Sequence, residues 1–315
     1  MINRRSFITG IKSTSLSDKE ILFLKKYKPW GLILFSRNIK TVIQTKKLTS
    51  DIRKIFKDKN YPILLDQEGG RVNRLRKFLN ADAFTGFFFG NLYTKDKKRF
   101  NLYYKIFINK TAYLLKLIGV NINTVPVLDL KLKNTSNIIG DRAFSNNPQI
   151  VSKIGDLCIR NFHKNNIGTI IKHIPGHGLA KVDSHKLTPV IKSKITYLLK
   201  KDFSTFKNKK SLFAMTAHII YKDIDKFNTG THSKKIIQLI RKKIKFNNIL
   251  ISDDISMKSL KYSIQDNTLK AFTAGCNLVL HCNGNLKEMH DVAINSPLIN
   301  KFIIKKTSQF YKIIS

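Results

Sequence analysis

The chain has 315 residues, 42% hydrophobic and 10% aromatic, which is enough apolar side chain for a sizeable core and excludes a disordered chain. Lys and Arg number 58 against 20 Asp and Glu, a net charge of +38 spread along the whole sequence. With Lys, Asn and Ile abundant and no nucleic-acid motif present, this charge reads as compositional drift toward AT-rich codons, not as a dedicated nucleic-acid surface.

The elements alternate from the N-terminus onward. The opening "MINRRSFITGIKST" lacks the apolar centre of a secretory signal. A first short apolar run, "SFITGI" (6–11), is followed by "GLILF" (31–35). A helix is predicted over 41–56, where Val42, Leu48, Ile52 and Ile55 recur at helical spacing. "PILLD" (62–66) is the third run, and residues 67–97 after it read as an ordered loop over one face. A helix over 100–119 stops at a glycine. After "INTVPV" (122–127), residues 147–168 open on Asn-Pro and end on glycine, a start-and-stop signature for a helix. "TIIKH" (169–173), "LFAMTAH" (212–218), "ILISDD" (249–254) and "LVLHC" (278–282) complete the runs, with helices predicted over 233–246 and 295–314.

These runs are short, continuous and often β-branched, as buried parallel strands are. Eight of them alternating with helices predict an α/β fold, a single (β/α)8 TIM-type barrel forming one domain over residues 1–315. The rival, a doubly wound sheet, announces itself with a Gly-rich first βα turn, and neither GxGxxG nor GxxxxGK[ST] follows any run. The three cysteines, Cys158, Cys276 and Cys282, form no CxxC pair and read as reduced thiols. No stretch approaches about 18 uncharged apolar residues, so no membrane span is expected and the predicted location is the cytoplasm.

Polar side chains gather at the run ends: Asp66, Lys172 with His173, His218, and Asp253 with Asp254. In a (β/α)8 barrel those ends converge on one mouth, where active sites are built. A single strand-end Asp is as often a cap or turn former. "KHIPGHGLAKVDSH" (172–185) carries three histidines. A zinc site would use His173, His177 and His185, yet Pro175 and Gly176 break the helix that an HxxxH pair needs, and no HExxH is present. The glycines lead into no P-loop Lys-Ser/Thr pair. A loop carrying Asp183 two residues before His185 can orient and charge-stabilise an imidazole that exchanges protons near neutral pH. A turn with Asp183 capping the backbone and His185 merely solvated is the competing reading.

Five segments together, "LLDQEGGRVNR" (64–74), "GDRAF" (140–144), "KHIPGHGLAKVDSH" (172–185), "AMTAHIIYKDID" (214–225) and "ISDDISM" (251–257), resemble family 3 glycoside hydrolases, above all the single-domain bacterial β-N-acetylglucosaminidases of peptidoglycan recycling. Lesser matches at 31–38, 125–130 and 274–283 extend the resemblance over nearly the whole chain. It implies a retaining exo-hydrolase releasing terminal N-acetylglucosamine from muropeptides. Asp253 would be the nucleophile, His185 the acid/base and Asp183 its partner. Asp66, Arg74, Arg142, Lys172 and His173 would bind the sugar; Asp254 and His177 would be structural. It implies no metal or organic cofactor, no specific nucleic acid or membrane partner, and a monomer. Phosphorolysis on the same scaffold is an alternative, because a histidine acid/base does not repel incoming phosphate. A catalytically inactive, basic anion-binding barrel is another. "LTP" (187–189) and "FTGFFFG" (84–90) depart from the family pattern.

Overall fold

The computed structural model describes residues 3–132, 136–184 and 187–315. Eight strands close into a barrel: β1 (Arg5–Thr9), β2 (Pro29–Leu34), β3 (Ile63–Leu65), β4 (Ile122–Asn123), β5 (Gly168–Ile174), β6 (Phe213–Thr216), β7 (Ile249–Asp254) and β8 (Leu278–His281). Each pairs in parallel with its sequence neighbours, and β8 closes onto β1 through Phe7 opposite Val279. All eight predicted runs are barrel strands, and the (β/α)8 expectation holds.

The helices are α1 (Asp18–Tyr27), α2 (Val42–Phe56), α3 (Gly86–Lys95), α4 (Lys97–Leu117), α5 (Pro148–Lys164), α6 (Ile195–Lys200), α7 (Lys234–Leu239), α8 (Ile264–Ala274), α9 (Leu286–Asn295) and α10 (Lys301–Ile314). Their starts are chemically marked. Ser17 and Glu20 form a capping box on α1. The Asn147 side chain accepts from the first-turn N–H groups of α5, with Pro148 at a position that needs no donor. Residues 67–97 hold more order than a loop: a small antiparallel hairpin (Gln67–Gly69 with Val72–Asn73) and all of α3 lie within them. Three aromatics at consecutive positions, Phe87 to Phe89, hid the helix by carrying no clear periodicity. Among the described residues no helix is long and apolar enough to cross a membrane.

Strand alternation sorts the core into two layers. Ile8, Ile33, Leu64, Ile122, Ile170, Met215, Ile251 and Leu280 pack together inside the barrel. Leu32, Leu65, Ile171, Ala214, Leu250 and Val279 pack outward against the helices. Helix α10 closes the floor: Phe310 meets Phe213 edge-on, and the buried Trp30 indole donates to Thr307 Oγ1 at 2.8 Å. The strand ends at the opposite mouth carry Asp66, Lys172, His173 and Asp253.

Candidate active site

At the mouth lies a cleft of about 720 Å³. Asp66, Glu68, Arg71, Arg74, Arg142, Lys172, His173, His177, Ser184 and Asp253 supply its polar lining. Asp66 is the first residue beyond β3. Its Oδ1 lies 3.1 Å from Lys172 Nζ and accepts from the Thr124 hydroxyl, and its Oδ2 lies 3.6 Å from Arg74 Nη2. Burial alone would raise its pKa; Lys172 and Arg74 outweigh burial and hold it well below the usual carboxylate range. Arg74 also lies over the Phe35 ring, 5.5 Å from its centroid.

Glu68, in the hairpin after β3, is the second carboxylate of this cluster. Lys172 Nζ approaches its Oε1 at 2.6 Å, and Arg142 reaches both oxygens at 2.8 and 2.9 Å, a bidentate pair. Burial opposes ionisation, but Arg142 and Lys172 bring the Glu68 pKa down to about 2. Burial likewise works against the Arg142 charge, and Glu68 outweighs it, raising the guanidinium above its ordinary value. Two carboxylates and three cations, most of them buried, therefore form one fixed network on a side of the cleft that would otherwise need water.

The β5 end supplies the next layer. Lys172 and His173 occupy consecutive positions joined by a cis peptide bond. The His173 Nδ1–H donates to Asp129 Oδ2 at 2.7 Å, and Asp129 Oδ1 accepts the His177 backbone N–H at 2.8 Å. Burial pushes Asp129 up and His173 pulls it down, with a net lowering. His177 lies at the back of the cleft, where its Nε2 is 3.2 Å from Ser184 Oγ. Burial, then the adjacent His173 ring, lowers His177 to about 4, so it is neutral at physiological pH.

Two glycines let the chain turn here. A Cβ on Gly176 would sit 2.6 Å from Asp202 Cγ, and one on Gly178 would sit 2.5 Å from the Leu130 carbonyl oxygen. Asp202, fully buried, accepts the Leu130 N–H at 3.3 Å and the Gly178 N–H at 2.9 Å. Burial and the Asp129 carboxylate push its pKa up to about 8.

Asp253 and Asp254 end β7, where the register with β8 shifts between Ile251 and Asp254. Asp253 lines the cleft, and its Oδ1 accepts the Asp254 N–H at 2.8 Å. Asp254 faces its own loop: its Oδ1 accepts from Ser256 N and Cys282 N, both at 3.1 Å. The two neighbours thus divide in position, Asp253 toward the cleft and Asp254 toward its own loop.

One expectation is corrected. His218 does not line the cleft. It is buried just past β6, with Nδ1 2.7 Å from Thr231 Oγ1 and Nε2 donating to the Asp254 carbonyl oxygen at 3.0 Å. Burial lowers its pKa, so it holds the β7 end as a neutral ring. Asp183 is described and partly buried, its carbonyl oxygen accepting the Leu187 N–H at 3.0 Å. His185 lies outside the described residues. Sequence reasoning assigned no role to Glu68, Asp129 or Asp202. Glu68 follows Asp66 by two residues and Asp129 follows an apolar run, so the strand-end logic could have found both. Asp202, in "KKDFSTF", carries no such signal.

Fold and mouth together define a (β/α)8-barrel enzyme whose cleft is built from fixed carboxylates and cations. Residues 9–307 match the Glycosyl hydrolase family 3 N terminal domain; the chain belongs to that family and is a glycoside hydrolase. It is 32% identical over 285 residues to the beta-hexosaminidase of Nitrosomonas eutropha, covering 87% of this chain and 79% of that one. It is 32% identical over 287 residues to the beta-hexosaminidase of Actinobacillus pleuropneumoniae serotype 5b, covering 88% and 80%. The structure of NagZ from Neisseria gonorrhoeae in complex with N-trifluoroacetyl-D-glucosamine superposes with a TM-score of 0.88 at 26% identity, covering 98% of this chain and 90% of that one.

Proposed function

We propose that the protein is an exo-acting, retaining β-N-acetylglucosaminidase that removes terminal N-acetylglucosamine from peptidoglycan-derived muropeptides. One observation carries the reading: Asp253 ends β7 in the same cleft that Asp66, Arg74, Arg142, Lys172 and His173 line. A strand-end carboxylate in a cleft whose other charged groups are held in ion pairs suits nucleophilic attack on a neutral sugar. The relatives' names, beta-hexosaminidase, and the amino-sugar analogue bound to the Neisseria protein support the sugar class.

In the proposed reaction an Asp253 carboxylate oxygen attacks the anomeric carbon as the glycosidic bond breaks. His185, as imidazolium, gives its proton to the departing oxygen. Neutral His185 then takes a proton from water, which attacks the anomeric carbon, and Asp253 leaves with retention. Asp183 holds the imidazole. A histidine in this role adds no second negative charge beside the nucleophile, and its pKa lies near the working pH. Asp66, Lys172, Arg74, Arg142 and His173 offer sugar hydroxyls a pre-set mix of acceptors and donors. We place this activity on one barrel, residues 1–315, acting as a cytoplasmic monomer.

Incubation with a slow 5-fluoro-N-acetylglucosaminyl donor tests the reading. Mass spectrometry should find the sugar on the peptide containing Asp253; labelling elsewhere, or none with turnover present, overturns the assignment. Including phosphate in the turnover assay separates hydrolysis from phosphorolysis, which would yield the sugar 1-phosphate.

A further inference from the structure

Helix α4 is apolar on two sides. Its inward side is ordinary: Phe100, Tyr104, Ile108, Ala112 and Leu115 recur at helical spacing and are buried. Its outward side is not. Leu102, Ile106 and Tyr113 fall within about 40° of one line along the helix, at about 100° of turn per residue. They are 56%, 54% and 61% exposed, and Tyr103 at the edge of the stripe is exposed as well. A surface helix ordinarily turns polar residues outward, so an apolar stripe running about three turns marks a face that something covers.

Basic residues border the stripe on both sides. Lys98, Lys105 and Lys116 lie along one flank, and Arg99 and Lys110 along the other. All five are exposed, and residues 97–117 contain no Asp or Glu. Among the described residues one of the five, Arg99, has an acidic partner, Asp96 at 3.4 Å. The occupant must therefore accept apolar side chains at its centre and bring negative charge to both flanks. A second copy of this chain would set one lysine-flanked stripe against another, adding repulsion to a molecule already at +38. A single nucleic-acid strand follows a basic groove, whereas a helix face is convex and its aliphatic centre offers a phosphodiester backbone nothing. A bilayer with anionic headgroups meets both demands. Leu102 and Ile106 reach the acyl boundary, the Tyr103 and Tyr113 rings suit the headgroup level, and the long lysine stems carry their ammonium groups to the phosphates.

We propose that the outward face of α4, with Leu102, Ile106 and Tyr113 along its middle and basic residues on both flanks, is a docking surface for an anionic lipid bilayer. None of these residues lines the mouth cleft, so the surface stands independently of the sugar and of the mechanism. Co-sedimentation of the full chain with extruded vesicles at about 150 mM sodium chloride tests it. Vesicles of equal parts phosphatidylglycerol and phosphatidylcholine should bind the wild type at least about tenfold more tightly than phosphatidylcholine alone. The double variant Leu102→Ser/Ile106→Ser leaves the charge unchanged and alters no buried side chain. It should weaken binding to the mixed vesicles about tenfold and keep the thermal midpoint within about 2 °C. Ile43→Ser removes an exposed isoleucine from α2 and should bind as the wild type does. Tyr113→Trp should add an emission that shifts to the blue on the mixed vesicles and is quenched by brominated acyl chains. If the double variant unfolds, this quenching decides: its presence sustains the surface and its absence overturns it. Absent wild-type binding, undiminished binding of the folded double variant, or an equal loss in Ile43→Ser overturns the surface in favour of a diffuse charge effect. A dimer in ultracentrifugation, or affinity for a single-stranded oligonucleotide, that the double variant loses while vesicle binding persists would overturn it in favour of those partners.

Discussion

Lys172 answers two carboxylates at once, 3.1 Å from Asp66 and 2.6 Å from Glu68, with almost no solvent contact of its own. Removing one partner of a buried ion cluster leaves uncompensated charge, a far larger effect than losing a surface pair. Lys172→Met should therefore destabilise the fold by about 3–5 kcal/mol at pH 7 in urea unfolding. The pH dependence has a definite sign. Glu68 is held at about 2 against an ordinary 4.5, and Asp66 is also depressed below its ordinary 3.8. Their contribution is complete above pH 4.5 and is lost as pH falls through about 2 in the wild type. The variant lacks much of that depression, so its carboxyls protonate at higher pH. The gap between wild type and Lys172→Met should be widest at pH 7 and narrower at pH 4; a gap that widens on acidification would contradict the network as described.

The same logic at the scale of an element concerns the turn after β5. The segment 176–178 is gripped from both sides: Asp129 accepts the His177 N–H, and Asp202 accepts the Gly178 N–H. Tyr221 adds a third hold, its hydroxyl donating to the Gly176 carbonyl oxygen at 2.6 Å. The chain continues from this grip to Asp183, so on the proposed reading Asp202 would position the segment that leads to the proton donor. Asp202→Ala orphans the buried N–H groups of Leu130 and Gly178, among others, at about 1–3 kcal/mol each. It should lower kcat more on a sugar leaving group than on 4-nitrophenolate, because only the former needs a proton; Asp202→Asn, which keeps one acceptor, should restore part of the difference. Equal losses on both leaving groups would mark Asp202 as merely structural. This grip also shows where sequence reading stops. The eight strands were legible because each is a short apolar run, and Asp66, Lys172, His173 and Asp253 because polar residues closing such runs must meet at the mouth. His218 obeys the same rule and yet spends both ring nitrogens on Thr231 and the Asp254 carbonyl oxygen, since run-end position does not fix side-chain direction. Asp202 comes from a helical turn 24 residues after Gly178, a pairing that only the fold creates.

For the whole molecule the governing quantity is the +38 charge. Carboxylates are few, and several of them, Asp66, Glu68 and Asp129 among them, are spent inside the fold on fixed partners. Among the described residues, salt bridges engage only a few lysines, such as Lys47, Lys54, Lys194 and Lys209. Such self-repulsion disfavours the compact state, because unfolding moves like charges apart. Salt screens it: the Debye length contracts from about 30 Å at 0.01 M to about 8 Å at 0.15 M. The thermal midpoint at pH 7 should therefore rise as sodium chloride goes from 10 to 300 mM, by a few degrees if screening recovers about 1–2 kcal/mol. Screening depends on ionic strength and not on the identity of the anion. Sodium sulfate at matched ionic strength should then give nearly the same rise, apart from its general tendency to favour burial. A large excess with phosphate over both salts would point instead to a built anion site, and a flat or falling midpoint would mean that the cations are already well separated. The same field attracts any polyanion, so binding to DNA should be weak, indifferent to sequence and steeply lost with salt. Sequence-selective retention at 150 mM salt would overturn the reading of the charge as drift.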